Sequence, residues 1–552
     1  MRWLAAPRRT KSMVDNDAKC QVVTTTSPTT RNVVDVHHTS ASLPQRQQNT
    51  VFRALPDDIL VFIWELAIFE ESKSGFFPSY DHLALLKISA VCQHWRWTAL
   101  NTPSLWTHIR SRFPPDLLNL FLKRSMEAPL NVEITCDKYF DDNLHPSVDG
   151  DDLMRKVDKF SAKLAAILRH SNRIRFLSLS LEAYASTIID SRLAGANCRT
   201  PMLEGLRFHV TSDLGLWAIP NVDLERIVDA GTSLLEKFRS PLLRELYLDG
   251  LRAPPDYIHL ASLSHLSLKF NDVEKSVEDY LTSILVDEAP LISLSLDLWS
   301  AFVISQPSGS TANRLHLPHL RVLSLKAPFS QCMHLSAMFS VESLEELHLE
   351  TRQSFIVVHE LAKLLPRNPP GESARIEFDA DLIRLEFFNM TEGSRCDSYK
   401  KYLFSLNTQF SNDSTIYILL GILKSHHFPN ILSVDLRSSG AFDSGVTRAL
   451  LSHFDTLRSL RIHLDRRSTC VFPIEDAIGS SLLRSPSSPL RSVQSLTFSN
   501  LTVKIPQAMP FLLELSTVVH ERTKAGLPPL ILEFENCEGV TDELLRNSGL
   551  KR

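Results

Sequence analysis

One short pattern, apolar-x-x-apolar-x-apolar, constrains this chain more than any other feature. It stands at Ile174/Leu177/Leu179, Leu203/Leu206/Phe208, Leu243/Leu246/Leu248, Leu263/Leu266/Leu268, Leu291/Leu294/Leu296, Leu320/Leu323/Leu325 and Leu344/Leu347/Leu349. It returns at Ile431/Val434/Leu436, Leu457/Leu460/Ile462 and Val493/Leu496/Phe498. Such residues are common, so the bare pattern carries little weight and its punctuation carries more. Pro201, Pro241, Pro290, Pro318 and Pro429 each stand one or two residues before the first apolar position, where proline stops an incoming helix. The last two apolar positions lie two residues apart, so on a strand they share one face. A single short strand cannot bury that face, whereas stacked copies can.

Counted between last pattern positions, 248, 268, 296, 325 and 349 give steps of 20, 28, 29 and 24. These lie in the range of roughly 20 to 29 residues for leucine-rich repeats, and the region resembles such an array. The reading predicts a continuous ladder of leucines, with Glu245, Tyr247, Ser267, Ser295, Ser324 and His348 turned the other way to line a concave binding face. Helical returns are expected at Val222 to Lys237, Val273 to Val286 and Ser354 to Leu365. The closing segment from Leu532 to Leu545 resembles a cysteine-containing leucine-rich repeat, in which Asn536 and Cys537 turn the chain inward. Spacing fails between 350 and 430, where Pro366-Arg367-Asn368-Pro369-Pro370-Gly371 and a polar stretch from Thr391 to Ser398 read as an insertion or degenerate repeats. An irregular α/β region, or a compact α/β domain, is the alternative.

Upstream, residues 55 to 109 carry a different periodicity. Leu55 and Pro56 precede Asp57 and Asp58, so proline sits at a helix start and two acids face the positive end of the helix dipole. Ile59, Leu60, Ile63, Leu66 and Ala67 follow at three- and four-residue steps, and Phe62 and Trp64 widen the apolar face. Gly75 and Pro78 interrupt the pattern; Leu83, Leu86, Ile88, Val91 and Cys92 resume it, Trp95 and Leu100 extend it, and Asn101-Thr102-Pro103 ends it.

These residues resemble the F-box, a small helical module that docks on the Skp1 adaptor of cullin-based ubiquitin ligases. Leu55-Pro56-Asp57-Asp58-Ile59-Leu60 is similar to its opening LPxEll, Val91-Cys92-Gln93-His94-Trp95-Arg96 to its VCkrWr segment, and Thr102-Pro103-Ser104-Leu105-Trp106 to the TPSLW turn of fungal members. The resemblance is nearest to the large families of mushroom-forming fungi, which also continue like Phe121-Leu122-Lys123-Arg124-Ser125 to Ala128-Pro129-Leu130. Asp58 replaces the commoner Glu, and the loop after the first helix is long. The resemblance implies that Leu55, Pro56, Ile59, Leu60, Ile63, Val91, Cys92, Trp95 and Leu100 contact a Skp1-like adaptor and, through it, a cullin. The same residues would also suit a helical hairpin with its own core, since a buried tryptophan does not distinguish a partner surface from an interior.

Composition narrows the function classes. With 59 basic and 63 acidic residues, net charge −4, the chain shows no electrostatic footprint for nucleic acid or an anionic membrane. The eight cysteines, at 20, 92, 136, 198, 332, 396, 470 and 537, include no C-x-x-C pair; such dispersal suits reduced thiols in the cytoplasm or nucleus and argues against a disulfide scaffold or metal site. No apolar run approaches the roughly 20 residues needed to span a bilayer. His359-Glu360 lacks the second histidine of H-E-x-x-H, and no phosphate-cradling or nucleophile-elbow motif occurs, so neither a catalytic site nor a cofactor is expected.

The expectation is an α+β chain. A disordered tail (1–50) precedes a three-helix F-box (51–112), a helical linker (113–170) and an irregular leucine-rich-repeat α/β solenoid or horseshoe (171–552). Its expected role is as a non-enzymatic substrate adaptor of a Skp1-cullin-F-box ubiquitin ligase that binds an unnamed target protein. The alternative is a repeat scaffold in which the helical segment is only a cap.

Overall fold

In the computed structural model, the last two apolar positions of all the pattern copies are strand residues. The structure describes residues 55–70, 79–80, 82–136, 150–193, 199–211, 224–251, 262–270, 277–285, 289–298, 315–339, 343–351, 356, 358–365, 371–378, 382–388, 400–408, 412–426, 428–438, 444–454, 456–464, 489–500, 503 and 505–550. The 1–50 tail, the 71–78 loop and the polar stretch 391–398 lie outside them.

The chain divides into two units, Met1–Leu60 and Val61–Arg552. Of the first, residues 55–60 are described: Leu55, Pro56 and the first turn of helix α1 (Asp57–Ile68), which closes when the Leu60 amide donates to the Pro56 carbonyl at 3.0 Å.

The second unit holds the remainder of α1 and an antiparallel pair, β1 (Phe69–Glu70) and β2 (Ser79–Tyr80). Helices α2 (His82–Val91) and α3 (Gln93–Asn101) follow, then a 3₁₀ turn at Pro103–Trp106. Beyond that turn, the unit is mixed α/β, built on a 16-stranded, mostly parallel, open sheet. Its strands are β3 (His108–Arg110), β4 (Leu130–Thr135), β5 (Ile174–Glu182), β6 (Gly205–Thr211), β7 (Glu245–Asp249), β8 (His265–Lys269), β9 (Ser293–Asp297) and β10 (Val322–Lys326). They continue with β11 (Glu346–Thr351), β12 (Ser373–Phe378), β13 (Leu382–Phe388), β14 (Lys400–Thr408), β15 (Ser433–Ser438), β16 (Ser459–Leu464), β17 (Ser495–Ser499) and β18 (Ile531–Glu535).

Two of these strands lie where helix is expected. The segment 113–170, expected to be helical, carries β4 between helices at Pro115–Arg124 and Gly150–Leu168, and β3 enters the sheet from within the stretch assigned to the helical module. The alternating burial of Leu130-Asn131-Val132-Glu133-Ile134-Thr135 explains β4, because period-two burial is met only by a strand.

Register makes the ladder. Leu206 lies opposite Leu246, Leu246 opposite Leu266, Leu266 opposite Leu294, Leu294 opposite Leu323 and Leu323 opposite Leu347, and all are buried. A one-residue slip in any strand would turn its leucines to the opposite face, so burial itself holds the pairing. A backbone ladder runs beside it. The Arg244 carbonyl accepts from both the Ser264 and His265 amides, Ser264 from Ile292 and Ser293, Ile292 from Arg321 and Val322, and Arg321 from Glu345 and Glu346.

The prolines act through turns. The Leu203 amide donates to the Thr200 carbonyl, Leu243 to Ser240, Leu320 to Leu317 and Ile431 to Phe428, which puts Pro201, Pro241, Pro318 and Pro429 at the second position of a four-residue turn. There the fixed φ of proline is already the required one. Helices return between strands at Leu224–Glu236, Val277–Ile284, Phe329–Met338, Val358–Ala362, Asn412–Lys424, Ser444–Leu451 and Ile505–Lys524. The expected returns at 222–237, 273–286 and 354–365 each contain one of them.

The irregular stretch after residue 350 is an insertion within the sheet. Strand β12 pairs antiparallel with β13 and β13 antiparallel with β14, while β14 runs parallel to β11 and β12 parallel to β15. Because β13 alone reverses direction, the parallel array is spliced on both sides without an exposed edge.

Candidate functional site

The first candidate surface belongs to the helices. In α1, Trp64 and Ile68 are buried, and the Trp64 ring meets Trp95 edge-on at 5.3 Å. Trp106 is buried as well: its indole N–H donates to the Ala99 carbonyl at 2.7 Å, its ring meets Phe121 at 4.9 Å, and the Arg124 guanidinium lies 4.8 Å from its centroid. These tryptophans are core residues, whereas Phe62, Ile63, Leu66, Val91 and Trp97 are exposed, Leu66 by 64% and Val91 by 61%.

The residues named from the F-box resemblance separate by exposure. In the first unit, Pro56 and Ile59 are exposed, Leu55 is half-buried and Leu60 is buried, only 2% exposed. In the second, Ile63, Val91 and Cys92 are exposed and Trp95 and Leu100 are half-buried. Cys92 caps α3: its sulfur accepts from the Trp95 amide at 3.4 Å. Trp97 was missed because it stands one residue beyond the VCQHWR segment; its spacing of six from Val91 gave no helical-face signal.

The second candidate surface is the sheet face opposite the leucines. Register aligns Arg207, Tyr247, Ser267, Ser295, Ser324 and His348 in one row across six strands. All but Arg207 were expected on this face. A parallel row beside it reads His209, Asp249, Lys269, Asp297, Lys326 and Glu350, in which charge alternates. Asp249, nearly buried, sits 3.1 Å from both Lys269 and His209, and Lys326 pairs with Glu350 at 2.9 Å. Burial pushes the Tyr247 hydroxyl upward in pKa and Asp249 adds to that, with Arg207 opposing. Farther along, the Arg375 guanidinium bridges Glu386 at 2.8 Å and Asp435 at 3.1 Å, Arg384 takes the second oxygen of Glu386, and Arg437 shares Asp435 Oδ2 with Arg375. That network pairs charges across β13, β12 and β15.

Arg207, Tyr247, His265, Ser267 and Ser295 are among the residues that line a depression of about 320 Å³. Two small residues, Ser267 and Ser295, follow the large Tyr247 ring along this row. Among the described residues no group of three or more His, Cys, Asp or Glu could hold a metal ion, and no described helix is long and apolar enough to cross a membrane.

No protein-family model matches the chain, and no curated protein matches its sequence.

Proposed function

We propose that this chain is a non-catalytic adaptor of a ubiquitin ligase. In this reading, residues 55–109 are an F-box that docks on a Skp1-like protein and, through it, on a cullin. The sheet is the inner face of a leucine-rich-repeat solenoid, and its polar rows hold a target protein for ubiquitin transfer by other subunits. One observation carries the docking half: Phe62, Ile63, Leu66, Val91 and Trp97 stand exposed on helices whose sequence has the LPDDIL, VCQHWR and TPSLW segments. Burying a large aliphatic side chain is worth about 1.5–3 kcal/mol, so a few of these suffice for stable association. The dispersed cysteines suit the cytoplasm or nucleus.

The experiment is capture of recombinant Skp1 by the full chain and by an Ile63→Asp, Val91→Asp variant, both shown folded by circular dichroism. Capture by the parent and loss in the variant supports the reading; a folded parent that captures none contradicts it.

A second reading, in which the helices only cap the array, draws on the short path from the 3₁₀ turn into β3, where the Asn131 amide donates to the Thr107 carbonyl at 3.0 Å. Under it, deleting residues 55–101 lowers the stability of the sheet and no adaptor is captured.

A further inference from the structure

The depression on the sheet face has an uncompensated cation. Arg207 lies over the Tyr247 ring, its guanidinium carbon 4.7 Å from the centroid, and among the described residues it has no ion-pair partner. A cation–π contact of this kind holds the guanidinium over the ring while its N–H groups remain able to donate. Next to Tyr247 in the same row, Ser267 and Ser295 carry hydroxyls with no protein hydrogen-bond partner among the described residues, whereas the Ser264 hydroxyl is used, donating to the Arg244 carbonyl at 3.1 Å and lying 2.8 Å from His265 Nδ1. Donors therefore converge on a concavity that the protein itself does not fill.

The nearby acids decide which anion fits. Asp249 is already held by Lys269 and His209, whereas Glu245, two residues from Tyr247 on the same strand, forms no ion pair among the described residues. Neither acid lines the depression, whose lining carries one formal charge, that of Arg207, enough to balance a monoanion but not a dianion. A planar monoanion, which matches the guanidinium fork with two parallel hydrogen bonds, is the better complement.

We infer that the depression is a subsite for a carboxylate side chain, glutamate or aspartate, of a bound polypeptide, with Arg207 as the bidentate partner, Tyr247 as its platform and the Ser267 and Ser295 hydroxyls as further donors. The inference rests on the reading of the sheet face as the partner-binding surface and adds the chemistry of one contact. Adjacent strands are about 4.8 Å apart, so the serine trough leaves room for a segment lying across three of them.

The test uses the full chain labelled with 3-fluorotyrosine, the Tyr247 signal being assigned by its loss in Tyr247→Phe. Acetyl-Ala-Glu-Ala-amide, its Gln analogue and its phosphoserine analogue are titrated at constant ionic strength. The expected result is a saturable shift of the Tyr247 signal with the Glu peptide, at least about tenfold weaker in Arg207→Gln, which is the loss expected when a charge-assisted pair is removed. Arg207→Lys, which keeps the charge without the fork, should restore only part of the response. Equal responses to Glu and Gln peptides, no response to any, or a stronger response to phosphoserine would each overturn the assignment. Because this titration involves no Skp1, its failure is separable from failure of the adaptor reading.

Discussion

The Arg522 guanidinium donates to the Val493 carbonyl at 2.7 Å while the whole side chain is 0% exposed. It also reaches the Leu490 and Arg491 carbonyls, just ahead of β17. Arg173 does the same work near β4 and β5, donating to the Leu122 carbonyl at 3.0 Å and to that of Met126. Each arginine supplies donors to carbonyls at the ends of helical turns and in the segments that lead into strands. Replacing Arg522 with Met removes those donors, and each stranded buried acceptor costs about 1–3 kcal/mol. Urea denaturation should show a loss of at least about 3 kcal/mol.

The two faces of the sheet should respond oppositely to truncation. Leu294→Ala opens a cavity in the ladder and should cost about 3 kcal/mol, whereas Ser324→Ala, facing the other way, should stay within about 0.5 kcal/mol. Equal costs would contradict the assigned register.

Gly539 tests the close of the chain. Its φ is +83°, and a Cβ there would stand 2.0 Å from the Val503 carbonyl oxygen. Gly539→Ala should therefore destabilise the C-terminal segment by roughly 2 kcal/mol or more, seen as faster amide exchange in β18 than in β8.

Histidine 108 gives a pH signature. Burial, then Arg110, lowers its pKa from 6.5 to about 3, and its Nε2 lies 2.9 Å from the Asn131 amide nitrogen. As pH falls below 6.5 the unfolded chain takes up a proton that the folded chain refuses until about 3, so this contribution to stability is complete above 6.5 and declines towards 3. At pH 5 the loss is roughly 2 kcal/mol. The difference between urea midpoints at pH 7.5 and pH 5 should shrink in His108→Gln.

Cysteine chemistry separates surface from core. Burial raises the Cys332 thiol to about 12, whereas Cys92 is exposed. Native-state alkylation at pH 8 followed by peptide mapping should modify Cys92 and spare Cys332 until denaturant is added.

The leucine ladder was legible because burial imposes a period on the residues that carry it. Asn536, just after β18, has φ +52°, a conformation that asparagine tolerates better than most residues. The order β11-β14-β13-β12-β15 was not legible, because it depends on pairing between segments distant in sequence, which local periodicity does not encode. Strand β3 is too short for its pattern to show, but the alternation in Leu130–Thr135 was a readable signal that the helical reading passed over. On the helices, Leu60 and Ile63 carry the same apolar signal, yet one is buried and the other 45% exposed; hydrophobicity alone does not say which neighbour a side chain will meet. Arg207 went unnoticed between Leu206 and Phe208, since the pattern draws attention to what it buries.

The most direct measurement of the central claim is calorimetric titration of recombinant Skp1 into the full chain, beside the Ile63→Asp, Val91→Asp variant and the sheet-face variant Tyr247→Ala. The account predicts a saturable one-to-one association by the parent and by Tyr247→Ala, weakened at least about a hundredfold in the helix variant, as loss of two buried anchors implies. Absence of binding by the folded parent, or equal binding by all three, would contradict it.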